Sequence, residues 1–145
     1  MNIDDLKAKE LSNLYAMFKQ TNDYFDGSEI SFLTEKKQLM LTYYIKHTCG
    51  LEEQITETLR DMGINPGNTK DSIAEEMTEN LKEIIKEEIE DGVKEVGYLL
   101  SLNRLMSYQI SNLENLQFFQ ENEASVVDIL SSLDEFRNVQ KSIFN

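Results

Sequence analysis

Apolar residues recur every three or four positions over most of the chain, and the breaks between these runs divide it into five helical segments. The first runs from about Ile3 to Tyr24, with Leu6, Leu11, Leu14, Tyr15 and Phe18 at helical spacing. It ends in "NDYFDGSE", where Asp26, Gly27 and Ser28 have turn chemistry. Ser28 or Ser31 is placed to cap a second helix over residues 30–62, whose stripe is Leu33, Met40, Tyr44, His47, Leu51, Ile55, Leu59 and Met62. "GINPGN" stops it, because Gly63 suits a left-handed cap while Pro66 and Gly67 do not continue a helix. Residues 69–90 carry a narrow stripe of Ile73, Met77, Leu81, Ile84, Ile85 and Ile89 on an otherwise acidic surface, the pattern of an outer helix. After Asp91 and Gly92, "VKEVGYLLSLNRLMSYQISNLENLQFF" is apolar around most of its circumference and predicts a central helix covered on several sides. A last helix follows the polar break "QENEAS" and spans 124–144, with Val126, Ile129, Leu130, Leu133, Phe136, Val139 or Gln140, and Ile143 on one face. The economical architecture is a single all-α domain over residues 1–145: an antiparallel four-helix bundle with an extra short amphipathic helix between core helices 2 and 3.

Composition narrows the function classes. The 145 residues are enough for a proper core, and 27 acidic residues against 14 basic ones give a net charge of -13. That charge repels phosphates and anionic membrane surfaces, so neither nucleic acid nor membrane is an expected partner. One cysteine cannot form an internal disulfide, the opening "MNIDDLKAKE" lacks an apolar signal core, and no apolar run approaches the roughly 20 residues of a span. A cytoplasmic location is the expectation.

The stretch "YYIKHTCGLEEQ" holds the only histidine and the only cysteine, His47 and Cys49. Two positions apart on a helix, they point roughly 200° away from each other and cannot share a metal or act as nucleophile and base. His47 lies on the apolar stripe with Tyr44 and Leu51, which reads as a core histidine, and Cys49 on another face reads as a small hydrophobe. A di-iron carboxylate centre in a bundle needs two Glu-x-x-His motifs, and Tyr44 stands where the Glu of a motif ending at His47 would be. The acidic run "EEMTENLKEIIKEEIED" lacks the loop spacing of an EF-hand, and there is no P-loop, dinucleotide-binding glycine fingerprint or nucleophile elbow.

Several short motifs in order resemble the YciE/YciF family of bacterial stress-associated, ferritin-like proteins. "IDDLKAKELSNLYAMFKQ" is similar to the family's opening, except that the Glu expected before Lys19 is Phe18. Counting back from "MGINPG", the family's Glu-Thr pair falls on His47 and Thr48. "DSIAEEMTENLKEII" resembles its intervening helix. "MSYQISNLENL" resembles E-H-Y-E-I-A-x-Y-x-x-L, keeping Tyr108, Ile110 and Leu116 while Met106, Ser107 and Gln109 replace the acidic and histidine positions. "ILSSLDEFRN" keeps Leu133, Asp134 and Glu135 and turns the last Glu into Phe136. The resemblance implies a ferritin-like fold whose former ligand positions, Phe18, His47, Met106, Gln109 and Phe136, no longer suit a hard metal ion.

The expected protein is therefore an apo pseudo-ferritin with no catalytic, cofactor or metal residues, in which His47 joins a neutral cluster with the Gln109 amide and a hydroxyl from Tyr44 or Tyr108. It is expected to act non-enzymatically, as a homodimer or with an unknown protein partner, in stress physiology as the resemblance implies. The alternative is a residual iron-handling or metal-dependent oxidoreductase built on His47 and acids such as Glu53 or Glu114. A third possibility is an apolar small molecule or lipid in the former metal cavity.

Overall fold

The computed structural model describes residues 1–119 and 124–145. Helix α1, Ile3–Phe25, opens with a capping box in which the Asn2 side chain accepts from Asp5 N while the Asp5 carboxylate accepts from Asn2 N. Helix α2, Glu35–Asp61, starts later than its sequence periodicity predicts, after Thr34 rather than Ser28 or Ser31. Ile30, Phe32 and Leu33 instead pack inward: Leu33 is buried, and the Phe32 ring meets Tyr98 edge-on at 5.3 Å. Their burial outweighs the one further turn of helix they would otherwise form. Gly63, at φ 67, ends α2 as expected: Ile64 N reaches the Leu59 carbonyl at 2.8 Å and Gly63 N reaches Arg60 at 3.1 Å, the paired bonds of a Schellman cap.

Helix α3, Ser72–Lys86, is capped by Asp71, whose carboxylate accepts from Ile73 N and Ala74 N. Its inward face is Ala74, Thr78 and Leu81, rotated from the predicted stripe, and Ile73 and Ile89 stand exposed. The Asp71 carboxylate also accepts from the Tyr108 hydroxyl at 2.7 Å, and its backbone pairs in both directions with the Gln20 side chain. One residue thus ties α3 to α1 and α4.

Helix α4, Asp91–Glu114, continues into a 3-10 turn, Asn115–Phe119. The predicted last helix is two, α5, Ala124–Ser131, and α6, Leu133–Ser142, broken at Ser132. The hydroxyls of Ser131 and Ser132 donate back to Asp128 and Ile129 carbonyls, the local bonding by which serine competes with a continuous helix. Part of the expected polar break, residues 120–123, lies outside the described residues.

Helices α1 and α2 form a hairpin, α3 crosses over the outside, and α4 pairs with α5 and α6. The crossover brings the starts of α2 and α4 to the same end of the bundle: Thr34 N donates to Glu95 Oε1 at 2.6 Å. The last strut runs against α2, so that Lys37 Nζ near the start of α2 reaches the Ile143 carbonyl at the end of α6 at 2.7 Å. The core is continuous across all of them, from Leu11, Met17 and Phe18 through Tyr44 and Ile55 to Leu102, Leu105, Met106, Ile129 and Phe136. Among the described residues no helix is long and apolar enough to cross a membrane.

Candidate functional site

The five singled-out positions come from four different elements. Phe18 comes from α1, His47 from α2, Met106 and Gln109 from α4, and Phe136 from α6. All but His47 are 0% exposed. Phe136 is the hub, its ring 6.5 Å from Phe18, 6.2 Å from Tyr44 and 5.0 Å from the His47 imidazole, the last two edge-on.

Gln109, placed by α4 in this apolar middle, is hydrogen-bonded at both ends of its amide by groups from two other helices. The Tyr44 hydroxyl donates to Gln109 Oε1 at 2.6 Å, Gln109 Nε2 donates to Thr21 Oγ1 at 3.3 Å, and Thr21 Oγ1 donates to the Met17 carbonyl at 2.7 Å. Burial pushes the Tyr44 hydroxyl well above its ordinary pKa, so this chain carries no charge at neutral pH. Thr21 went unread in the sequence, although it falls one turn beyond Met17 and Phe18 on the same inward face.

His47 does not join that cluster. The Gln109–Tyr44 half of the expected arrangement forms, but Tyr108 bonds to Asp71, and the nearest charged group to the imidazole is Glu135, with Oε2 4.0 Å from His47 Nδ1. The reason is geometric: Tyr44 and His47 lie nearly one turn apart on α2, so only Tyr44 reaches the amide, while the imidazole packs edge-on with Phe136. The His47 side chain is only 8% exposed, yet its Nε2 has no hydrogen-bond partner among the described residues. Burial lowers the His47 pKa and Glu135 partly opposes that, so the ring is neutral at pH 7.

Glu135 sits in the first turn of α6, where the helix dipole favours a carboxylate, and its Oε1 accepts from the Tyr43 hydroxyl at 2.7 Å. Ser132 and Glu135 have the Ser-x-x-Glu spacing of a capping box, the one sequence signal that could have located the restart of the helix. The Ser132 side chain turns back to Ile129 instead. Tyr43, Lys46, His47, Gly50, Gln54 and Glu135 line an open groove of about 550 Å³ between α2 and the α5–α6 junction.

The acids considered as further ligands lie elsewhere. Glu53 is exposed, and Glu114 faces Arg137 at 3.4 Å. Cys49, read as a small hydrophobe, is an exposed thiol. Among the described residues no three His, Cys, Asp or Glu side chains converge. The di-metal centre that a ferritin-like bundle implies does not fit this donor set: one imidazole and one half-exposed carboxylate stand beside two phenyl rings, a thioether and a neutral amide whose hydrogen bonds are used.

A helical hairpin, an outer crossover and a second, antiparallel pair define a ferritin-like four-helix bundle. The fold is similar to that in the crystal structure of the E. coli stress protein YciF, with a TM-score of 0.84 over 99% of this chain and 93% of that one, at 17% sequence identity. No family model matches the chain, and no curated protein matches it.

Proposed function

We propose that this is a metal-free ferritin-like bundle that acts non-enzymatically through its surface, as a homodimer or with a protein partner. A role in the stress response rests on the name of its structural neighbour. The observation that supports the metal-free reading is Phe136, a fully buried ring in contact with Phe18, Tyr44 and His47, where a metal would need anionic oxygen. Anaerobic loading with ferrous iron followed by oxygen tests it. The expected result is no stoichiometric binding and no accelerated oxidation; about two irons bound and oxidised per chain would overturn it.

A second reading, a residual metal-dependent oxidoreductase, draws on the unpartnered His47 Nε2 beside Glu135. His47→Ala separates the two, since an oxidoreductase loses metal and turnover whereas a structural core loses only stability. An apolar ligand in the bundle interior has no supporting observation, because Phe18, Met106, Gln109 and Phe136 are packed there at 0% exposure.

A further inference from the structure

The groove between α2 and the α5–α6 junction, about 550 Å³ in volume, is of the size that takes a small molecule. Its α2 wall is Tyr43, Lys46, His47, Gly50 and Gln54, at i, i+3, i+4, i+7 and i+11 on one helix face. Gly50 stands in the middle of that wall. A Cβ added there would meet no atom within 4 Å, so nothing inside the chain requires a glycine, although glycine weakens a helix interior relative to alanine. What the missing side chain leaves is room against the helix backbone. The same groove holds an unmet polar pair: His47 Nδ1 and Glu135 Oε2 are 4.0 Å apart, too far for a hydrogen bond, although the His47 side chain is only 8% exposed.

The lining sets the chemistry of an occupant. The Glu135 carboxylate holds the ring proton on Nδ1, because Nε2 is buried with no acceptor among the described residues. A donor and an acceptor then bound the gap. One atom about 2.8 Å from each satisfies both only if it accepts and donates, as a hydroxyl does. An ammonium has no lone pair for Nδ1–H, and a carboxylate has no proton for Glu135. Lys46 and Glu135 bring opposite charges to the lining, so neither an anion nor a cation is favoured overall. An apolar molecule would cover these groups without bonding them. Tyr43 is 50% exposed with its hydroxyl held by Glu135 Oε1 at 2.7 Å, which gives a fixed ring for the C–H side of a cyclic ligand, and the exposed Gln54 amide adds a donor and an acceptor. We propose that this groove binds a neutral monosaccharide, one of whose hydroxyls bridges His47 Nδ1 and Glu135 Oε2 while its ring lies over Gly50.

This inference goes beyond the surface-acting reading and does not rest on it, since sugar binding and iron loading are read separately and either can fail alone. The full chain, isotopically labelled, is titrated by NMR with glucose, galactose, mannose and ribose, with sorbitol as the open-chain polyol and with gluconate and glucosamine as charged analogues. At least one neutral cyclic sugar is expected to shift the Gly50 amide and His47 ring signals saturably in the millimolar range, and the other three probes to bind several-fold more weakly. Gly50→Leu fills the groove and is expected to weaken that binding by tenfold or more with an unchanged helical circular dichroism signal. Glu135→Ala weakens it by about tenfold, as loss of a hydrogen bond to a charged group does, and Glu135→Gln, which keeps an acceptor, restores part of it. No saturable shift with any of the four neutral sugars overturns the proposal. So does tighter binding of sorbitol, gluconate or glucosamine, or sugar binding indifferent to Gly50→Leu.

Discussion

Gln109 and His47 are both polar side chains at the middle of the bundle, and they are treated in opposite ways. Gln109 is fully buried and bonded on both ends of its amide, within a chain that runs from the Tyr44 hydroxyl to the Met17 carbonyl. His47, nearly as buried, has an edge-on contact with Phe136, a carboxylate 4.0 Å from one nitrogen and no hydrogen-bond partner among the described residues on the other. A neutral amide in a closed chain of donors costs the core little, whereas an imidazole with an orphan nitrogen carries an unmet desolvation cost. The interior is therefore stable around Gln109 and poised around His47, and the groove opens on the poised side.

The hardest blow to this contrast is loss of the ring that packs on both Tyr44 and His47. Phe136→Ala is expected to destabilise the chain by about 3–5 kcal/mol, because it opens a cavity touching Phe18, Tyr44 and His47 at once. Urea unfolding measures this, and a loss below about 1 kcal/mol would mean that the aromatic hub does not organise the core.

Tyr44→Phe leaves Gln109 Oε1 buried without a donor and is expected to cost about 1–3 kcal/mol. Adding Gln109→Met should recover much of that, since both ends of the bond are then apolar. A double-mutant cycle that came out additive would show that the two groups are not coupled.

His47 supplies the pH dependence. Its native pKa lies below the reference 6.5, so the unfolded chain binds the proton more readily than the folded one. The sign follows from linkage: stability is full above about pH 6.5, falls as pH drops towards the lowered native value, and loses no more from this group below it. His47→Leu is expected to flatten that limb in unfolding midpoints measured across the range. An unchanged limb would assign it to carboxylates instead.

The smallest effect belongs to Glu135→Gln. At neutral pH it should change stability by less than about 1 kcal/mol, since Glu135 is 57% exposed. It should also lower the His47 pKa further, by removing the charge that raises it. Titration of the His47 ring protons by NMR reads that shift directly, and a rise would refute the assigned geometry.

Most of the helical architecture was legible from periodicity, because a helix that buries one face must repeat its apolar residues every three or four positions. The starts of α1 and α4, the Gly63 stop and the inward set Val126, Ile129, Leu133, Phe136, Val139 and Ile143 all follow from that rule. The five special positions were singled out through resemblance rather than spacing. The exposure of individual residues was not legible. Periodicity cannot separate a stripe that faces the core from one turned partly outward, which is why Ile73 on α3 stands in solvent while Ala74 is buried.

What the sequence by itself determined is the helical character and order of the segments and the residue types at the five singled-out positions, none of them a carboxylate, since both depend on residue identity and local repeat. Only the tertiary structure decided which partner each polar side chain received. The hydroxyl of Tyr108 went to Asp71, that of Tyr44 to Gln109, and the orphan nitrogen to His47. A hydrogen bond depends on a few ångströms between residues far apart in the chain, and those separations are set by how rings such as Phe136 fill the space between helices.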